Sequence, residues 1–112
     1  MNLGFIGTGT IAIAVIKGIF KSKISFRKIY ISERNKKNSQ KLKKKYNKVV
    51  VVKKNQEIID KCDWVFLSVT PSVGKKIIKE LKFKSSQTLI SFISTITLSE
   101  LKKAVKVKAK IV

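Results

Sequence analysis

The sequence predicts a single α/β domain over residues 1–112, built on a doubly wound parallel sheet of about six strands. Three observations support this fold class. Short apolar or alternating runs of strand length alternate with longer stretches of helical periodicity along the chain. A turn with two glycines joins the first run to the first helical stretch, and a proline opens a later helix at a position that helices favour. Strands that alternate with helices pair in parallel through right-handed crossovers.

The first half of the chain is predicted to hold two strand–helix units and a third strand. Residues 2–6 form a short apolar strand, and residues 10–23 follow as a helix. The alternating stretch 28–32 is a second strand, and the polar stretch 35–46 carries a leucine and a tyrosine on one helical face. Consecutive valines at 49–52 indicate a buried third strand.

The second half continues the alternation. A short helix is predicted over residues 55–62, and the strongly apolar run 63–69 is typical of a strand inside a parallel sheet. Pro71 opens a helix over residues 71–82, whose apolar residues fall on one stripe. The remaining elements are a strand at 88–93, a helix at 97–105 capped by Ser99 or Thr97, and a last strand at 109–112.

Four residues of the second half are predicted to be packed in the interior. Cys62 precedes a strand and is expected to be a small buried side chain. Trp64, Phe66 and Phe92 lie in predicted strands, so we expect them in the core rather than as stacking platforms for a ligand.

Charge is the unusual property of the composition. The chain has 26 Lys and Arg residues against 6 Asp and Glu residues, a formal net charge of +20, which attracts polyanions at low salt. Arg27 and Arg34 are the only arginines. The lysines are spread along the chain and the aromatic residues fall mainly in strands, so we interpret the charge as a solvated lysine coat, with nucleic-acid binding as the alternative.

The chain lacks residues that several classes of site require. It has one cysteine, Cys62, and no histidine, which excludes an intrachain disulfide, a cysteine-based metal site and a histidine relay. No apolar stretch reaches the roughly 20 residues of a membrane-spanning helix. We therefore expect no metal, no membrane partner and a reducing, cytoplasmic location.

The glycine turn, Gly7 to Gly9, has the spacing of a dinucleotide-binding turn. Gly7 would make the turn, and Gly9 would let the backbone approach a pyrophosphate. Ala12 at the third position is small enough for close packing of helix and strand. Because the turn follows a predicted strand and opens a predicted helix, a dinucleotide site is favoured over a purely structural turn.

The end of the second strand bears on which dinucleotide would bind. Enzymes that prefer NAD place Asp or Glu there to accept from the ribose hydroxyls. The predicted register places Ser32 at the strand end, and Arg34 can make a forked contact with a 2′-phosphate. The sequence therefore predicts NADP(H). If Glu33 were the strand-end residue, Arg34 would only pair with it and the preference would be inverted.

Several blocks of the chain, in order, match the pattern of one known family. LGFIGTGTIAIAVIKGIF resembles the start of the N-terminal domain of pyrroline-5-carboxylate reductase, and SERN resembles that family's phosphate-binding Ser/Asn-x-Arg turn. CDWVFLSVTPSV and TLISFISTITLSEL are similar to its fourth-strand and fifth-strand blocks. The resemblance covers essentially the whole chain but only the cofactor domain of the family. It implies a Rossmann-like fold and hydride transfer from NADPH to the imine carbon of 1-pyrroline-5-carboxylate, in proline biosynthesis.

The resemblance also implies the residues of the cofactor site, none of which is an acid–base catalyst. They are Gly7, Gly9, Thr10 and Ile11 at the pyrophosphate, Ser32 and Arg34 at the 2′-phosphate, Asn55 near the cofactor, and Ser68, Val69, Thr70 and Pro71 along the ribose and nicotinamide.

The chain departs from the family's pattern at the nicotinamide end. Thr70 stands where the family has a lysine, and Ser94 and Thr95 replace an Ala-Gly pair that leaves room beside the nicotinamide. The family's C-terminal domain supplies its dimer interface and imine-binding segment, and we expect it to be absent from this chain. The chain alone should then not reduce the imine, and a separate C-terminal substrate and dimerisation domain, or a homo-oligomer, would complete the site. The alternative is a non-catalytic module that senses a nucleotide or binds a partner.

Overall fold

Strands and helices alternate along the chain as the periodicity predicts. The computed structural model describes residues 1–33, 35–93, 96–105 and 109–112. The strands are β1 (Leu3–Ile6), β2 (Ile29–Ser32), β3 (Val49–Val52), β4 (Trp64–Leu67), β5 (Thr88–Ser91) and β6 (Lys110–Ile111). The helices are α1 (Thr10–Lys21), α2 (Lys36–Lys45), α3 (Asn55–Lys61), α4 (Pro71–Glu80) and α5 (Leu98–Val105).

The six strands form one parallel sheet in the order β3-β2-β1-β4-β5-β6. The chain builds outward from β1 to β3, then crosses to the other side of β1 and builds outward again. This reversal confirms the predicted doubly wound fold. It also makes the carboxyl ends of β1 and β4 the switch point of the sheet, where open α/β sheets bind their ligands.

Each face of the sheet has its own hydrophobic core. One core joins α1 and α2 to residues such as Phe5 and Phe66, whose rings stack with centroids 4.4 Å apart. The other core joins α3, α4 and α5 to residues such as Ile6 and Leu67. The division follows from the alternation of side chains along each strand, which sends Phe5 to one face and Ile6 to the other.

Helix α3 lies so close to β1 that only a glycine fits between them. A Cβ added at Gly4 would collide with Ile58 Cγ2 and lie 2.8 Å from Cys62 Sγ. Cys62 is buried, as predicted. Its burial, with the charge of Asp63, raises the pKa of the thiol to about 12. The thiol therefore stays protonated at neutral pH and is a poor nucleophile.

The prediction that Trp64 belongs to the core is wrong. Phe66 is buried and Phe92 is half-buried against the α1 and α2 core, but Trp64 is 39% exposed. Trp64 is the first residue of β4. The sequence alternation fixes which face of a strand a side chain occupies, but not whether a helix covers that end of the sheet.

The helix ends and sheet edges are held by specific side chains. Thr97 and Ser99 were the two predicted caps of α5. Thr97 is the cap, because its Oγ1 accepts from the Glu100 N–H at 3.2 Å. Strands β3 and β6 are the edges of the sheet. At the β3 edge, Lys43 Nζ of α2 donates to the Val49 carbonyl at 2.9 Å.

In the part of the chain that the structure describes, no helix has the length and apolarity to cross a bilayer.

Candidate functional site

The turn between β1 and α1 requires glycine at its first position. Gly7 is buried and has a φ of 100°, in the left-handed region. A Cβ there would collide with the Ser68 carbonyl oxygen and lie 2.8 Å from Val69 Cγ1. The end of β4 therefore packs directly on the backbone of the glycine turn.

Gly9, the second glycine of the turn, has different surroundings. It is the N-cap of α1, and no side chain caps the helix. A Cβ at Gly9 would meet nothing within 4 Å, so the protein itself does not exclude a side chain here. The first-turn N–H groups of α1, which carry the positive end of the helix dipole, are left for a ligand that can approach closely.

Two serines that the resemblance assigns to the cofactor form hydrogen bonds with the glycine turn. Ser32 ends β2, and its buried Oγ accepts from the Gly7 N–H at 3.0 Å. Ser68 Oγ donates to the Gly7 carbonyl at 3.1 Å. The predicted strand end at Ser32 is confirmed, and Glu33 follows β2 with its N–H donating to the Val52 carbonyl at 3.0 Å.

An open cleft of about 630 Å³ lies at the switch point. It is lined by Gly7, Thr8, Gly9, Asn35, Lys36, Ser68, Val69, Thr70 and Val73. These residues come from the glycine turn, the start of α2 and the segment from β4 into α4. The cleft therefore extends across the carboxyl ends of the central strands, beside the starts of three helices.

The lining of the cleft favours an anion. Among the residues that the structure describes, Lys36 is the only charged residue that lines the cleft, and no acidic side chain does. Helix α4 begins at Pro71 after the N-cap Thr70, which, like Gly9, makes no side-chain capping bond. The uncapped starts of α1 and α4 and the Lys36 ammonium thus place partial and full positive charge around the same space.

Thr8 has a buried hydroxyl without a partner. The residue is 3% exposed, and its Oγ1 makes no hydrogen bond within the described residues. An orphaned buried hydroxyl costs free energy unless something outside the protein satisfies it. Thr8 lines the cleft, so its hydroxyl, the uncapped α1 and the space at Gly9 together fit a bound pyrophosphate group.

Comparison with known proteins agrees with this geometry. The family described as NADP oxidoreductase, coenzyme F420-dependent, matches residues 2–95. The chain belongs to this family. NADP is the cofactor of the family, which confirms the predicted cofactor. Among curated proteins, none matches the chain.

Solved structures similar to this NADP oxidoreductase domain include pyrroline-5-carboxylate reductases. The Streptococcus pyogenes enzyme is 28% identical over 92% of this chain, with a TM-score of 0.74, and 38% of that enzyme is covered. The Plasmodium falciparum enzyme, solved with NADP bound, is 25% identical over 99% of this chain, with a TM-score of 0.81 and 40% of that enzyme covered. The Coxiella burnetii enzyme has a TM-score of 0.85 at 23% identity over 98% of this chain, with 42% of that enzyme covered, which shows the shared fold alone.

This NADP oxidoreductase domain thus spans about 40% of the length of those reductases.

The cleft brings together about half of the residues predicted for the cofactor. Gly7, Gly9, Ser68, Val69 and Thr70 line it. The others that the structure describes lie outside the lining: Thr10 and Ile11 in the first turn of α1, Ser32 beneath the glycine turn, Asn55 at the start of α3 and Pro71 at the start of α4. Arg34, Ser94 and Thr95 lie outside the described residues.

Four lining residues of the NADP oxidoreductase domain were not predicted from the sequence: Thr8, Asn35, Lys36 and Val73. Asn35 caps α2 by accepting from the Asn38 N–H at 3.1 Å. A capping asparagine followed by lysine, directly after a strand end, is a signal that could have identified Asn35 and Lys36. Val73 carries no such signal, and Thr8 lies between the two glycines of the turn, at a position where the motif specifies no residue type.

Proposed function

We propose that this domain binds NADP(H) in the cleft at the switch point and serves a reductase that transfers hydride to a cyclic imine such as 1-pyrroline-5-carboxylate. The observation that carries the proposal is the glycine turn, in which a left-handed Gly7 precedes an uncapped helix start at Gly9. The resemblance to pyrroline-5-carboxylate reductases, one of them solved with NADP bound, supports the choice of substrate class.

The pyrophosphate would be held by backbone rather than by side-chain charge. The first-turn N–H groups of α1, including those of Thr10 and Ile11, lack a side-chain cap. The Thr8 hydroxyl has no partner among the described residues and would donate to a phosphate oxygen. Close approach requires that Gly9 have no Cβ, because the open space at that position is the space the phosphates would occupy.

The 2′-phosphate would be held by cations at the end of β2. Lys36 lines the cleft at the start of α2, and the sequence places Arg34 two residues before it. Ser32 ends the strand in place of the acidic residue that NAD-preferring enzymes use. Glu33 is half-buried and follows the strand. We therefore expect NADPH to bind more tightly than NADH.

The nicotinamide would lie along the segment that follows β4. Ser68, Val69 and Thr70 line that end of the cleft, and Val73 of α4 adds an apolar contact. The bound nicotinamide supplies the hydride. The lining that the structure describes contains no carboxylate, and the chain contains no histidine. The proton that reaches the imine nitrogen would therefore come from water or from another domain.

The substrate side of the site would be completed by a further domain or a second chain. The domain covers about 40% of each similar reductase, and the resemblance assigns imine binding and dimerisation to the rest of those enzymes. We therefore propose cofactor binding by this chain alone and turnover only with that complement.

Calorimetric titration of the purified chain with NADPH and NADH tests the proposal. The matched variants are Gly9→Ala and Gly18→Ala, because both positions have open space around an added Cβ but only Gly9 lies in the cleft. We expect NADPH to bind at least about tenfold more tightly than NADH, since a charge-assisted hydrogen bond contributes roughly 1.5–3 kcal/mol. Gly9→Ala should weaken both ligands at least about tenfold, and Gly18→Ala should weaken neither.

Two results would overturn the proposal. The first is the absence of binding by either dinucleotide in the wild-type chain. The second is equal affinity of the Gly9→Ala variant and the wild type, which would mean that the pyrophosphate does not lie against the glycine turn. Binding that persists without turnover after a reductase's C-terminal domain is supplied would favour the non-catalytic sensing module instead.

A further inference from the structure

Three successive peptide units of the glycine turn are each hydrogen-bonded by a different side chain. The Gly7 N–H donates to Ser32 Oγ at 3.0 Å. The Gly7 carbonyl accepts from Ser68 Oγ at 3.1 Å. The Thr8 carbonyl accepts from Asn38 Nδ2 at 2.7 Å. The orientation of the turn's peptide planes is therefore held by side chains from β2, from the end of β4 and from α2.

We propose that Asn38 is a positioning residue, which orients the Gly9 N–H for the pyrophosphate and couples it to the 2′-phosphate end of the cleft. The inference rests on the NADP(H) site proposed above. Asn38 lies in the lysine-rich stretch of α2, where no sequence motif distinguishes it. Its side chain is half-buried and reaches a residue 30 positions away in the sequence.

The hydrogen bond to Thr8 determines where the next N–H points. The Thr8 carbonyl and the Gly9 N–H belong to one planar trans peptide, so fixing the direction of the carbonyl fixes that of the N–H. Gly9 has no side chain, and its backbone is free to rotate more than that of other residues. Without the Asn38 amide, this peptide would lose the side-chain contact that selects one orientation before the ligand arrives.

The same residue belongs to the end of α2 that lines the cleft. The Asn38 N–H donates to Asn35 Oδ1 at 3.1 Å, which places Asn38 in the capped first turn of the helix. Asn35 and Lys36 line the cleft. A phosphate held at Lys36 would fix the start of α2, and through Asn38 it would fix the Thr8 peptide. The two ends of the dinucleotide would then bind cooperatively through one short helix segment.

Titrations with a whole and a partial ligand test the coupling. Asn38→Ala removes the amide and introduces the best helix-forming residue, and Gln40→Ala is the control at an exposed position of the same helix. The probes are NADPH and 2′-AMP, which lacks the pyrophosphate. We expect Asn38→Ala to weaken NADPH about tenfold and to leave 2′-AMP within about twofold. A general loss of α2 structure would weaken both ligands and would contradict the inference.

A measurement on the ligand-free protein separates this inference from the proposed function. We expect Asn38→Ala to lower the NMR order parameter of the Gly9 backbone amide from about 0.85 to below about 0.6, while the α2 interior amides keep their wild-type values. If the wild type binds no NADPH, the proposed function fails, and the role of Asn38 in the turn is decided by the order parameters alone. An unchanged order parameter at Gly9, or unchanged NADPH affinity in a wild type that binds it, overturns the inference.

Discussion

Gly7 has a backbone conformation and surroundings that both exclude a side chain. Its φ is 100°, and an added Cβ would collide with the Ser68 carbonyl. Gly18 is the contrasting residue, because it lies within α1 with open space around an added Cβ. The two glycines show that residue type alone does not reveal which glycine is required, since the difference lies in the neighbouring chain.

We predict that Gly7→Ala destabilises the domain by about 2 kcal/mol or more, because the left-handed backbone and the steric clash both oppose a side chain. Gly18→Ala should stabilise it by about 0.5–1 kcal/mol, because alanine loses less conformational entropy in a helix. Urea denaturation of the two variants beside the wild type measures both effects. Equal midpoints for Gly7→Ala and the wild type would show that the turn can adopt another conformation.

The site residues contributed by α2 were harder to infer from the sequence than the glycines of the turn. Gly7 and Gly9 follow from their spacing, because the motif itself is local. Asn38 lies in a stretch of polar residues that has the composition of a solvated helix face. Which of those residues turns toward the cleft depends on how α2 packs on the sheet, and that is a tertiary property.

At the scale of elements, periodicity predicted each strand and helix, and the ends differ by a few residues for identifiable reasons. Helix α1 was expected to reach residue 23 but ends at Lys21. The Ser22 hydroxyl donates to the Ile19 carbonyl at 2.7 Å, and the Ser22 N–H contacts the same carbonyl at 3.1 Å. A serine side chain that competes for helix carbonyls ends a helix in a way that apolar spacing does not report.

The short helix α3 depends on one buried side chain from a distant loop. Gln87 is 2% exposed, and its Nε2 donates to the Ile59 carbonyl and, at 2.9 Å, to the Cys62 carbonyl. Its Oε1 accepts from the Lys84 N–H at 2.8 Å. Gln87 therefore pairs carbonyls at the end of α3 that would otherwise be orphaned in the interior.

We predict that Gln87→Leu destabilises the domain by about 3 kcal/mol, because it leaves buried backbone groups unpaired. Gln56→Leu is the control, since Gln56 also makes three hydrogen bonds, to Asp60 and Lys82, but at the surface. Water can replace those bonds, so the control should cost less than about 1 kcal/mol. Equal losses of urea stability in the two variants would contradict the role of burial.

At the scale of the whole molecule, the charge is unevenly distributed over the two helical layers. Neither α1 nor α2 contains an acidic residue, whereas Glu57, Glu80 and Glu100 lie in α3, α4 and α5. The layer of α1 and α2 therefore presents the stronger positive field to solvent.

Some lysines also contact aromatic rings of the fold. Lys48 Nζ lies 4.8 Å from the centre of the Phe26 ring, and Lys61 Nζ lies 5.7 Å from the centre of the Tyr30 ring.

We predict that duplex DNA binds this molecule at low salt without sequence preference. Its affinity should fall at least about a hundredfold between roughly 50 and 200 mM salt, because such binding comes from released counterions. Fluorescence anisotropy with two unrelated labelled duplexes checks both statements. A preference for one duplex that persists at the higher salt would contradict the interpretation of the charge as a solvated coat.

The hydrogen bond from Lys43 to the Val49 carbonyl should oppose the addition of a further strand at the β3 edge. Four valines in a row on an edge strand form the kind of segment that templates the addition of a further strand from another chain. An incoming strand would need the carbonyl that Lys43 already occupies, and Lys48, Lys53 and Lys54 flank the valines with charge that repels a second copy. We therefore expect the lysines that suggest a polyanion partner also to oppose the pairing of two copies of the chain at this edge.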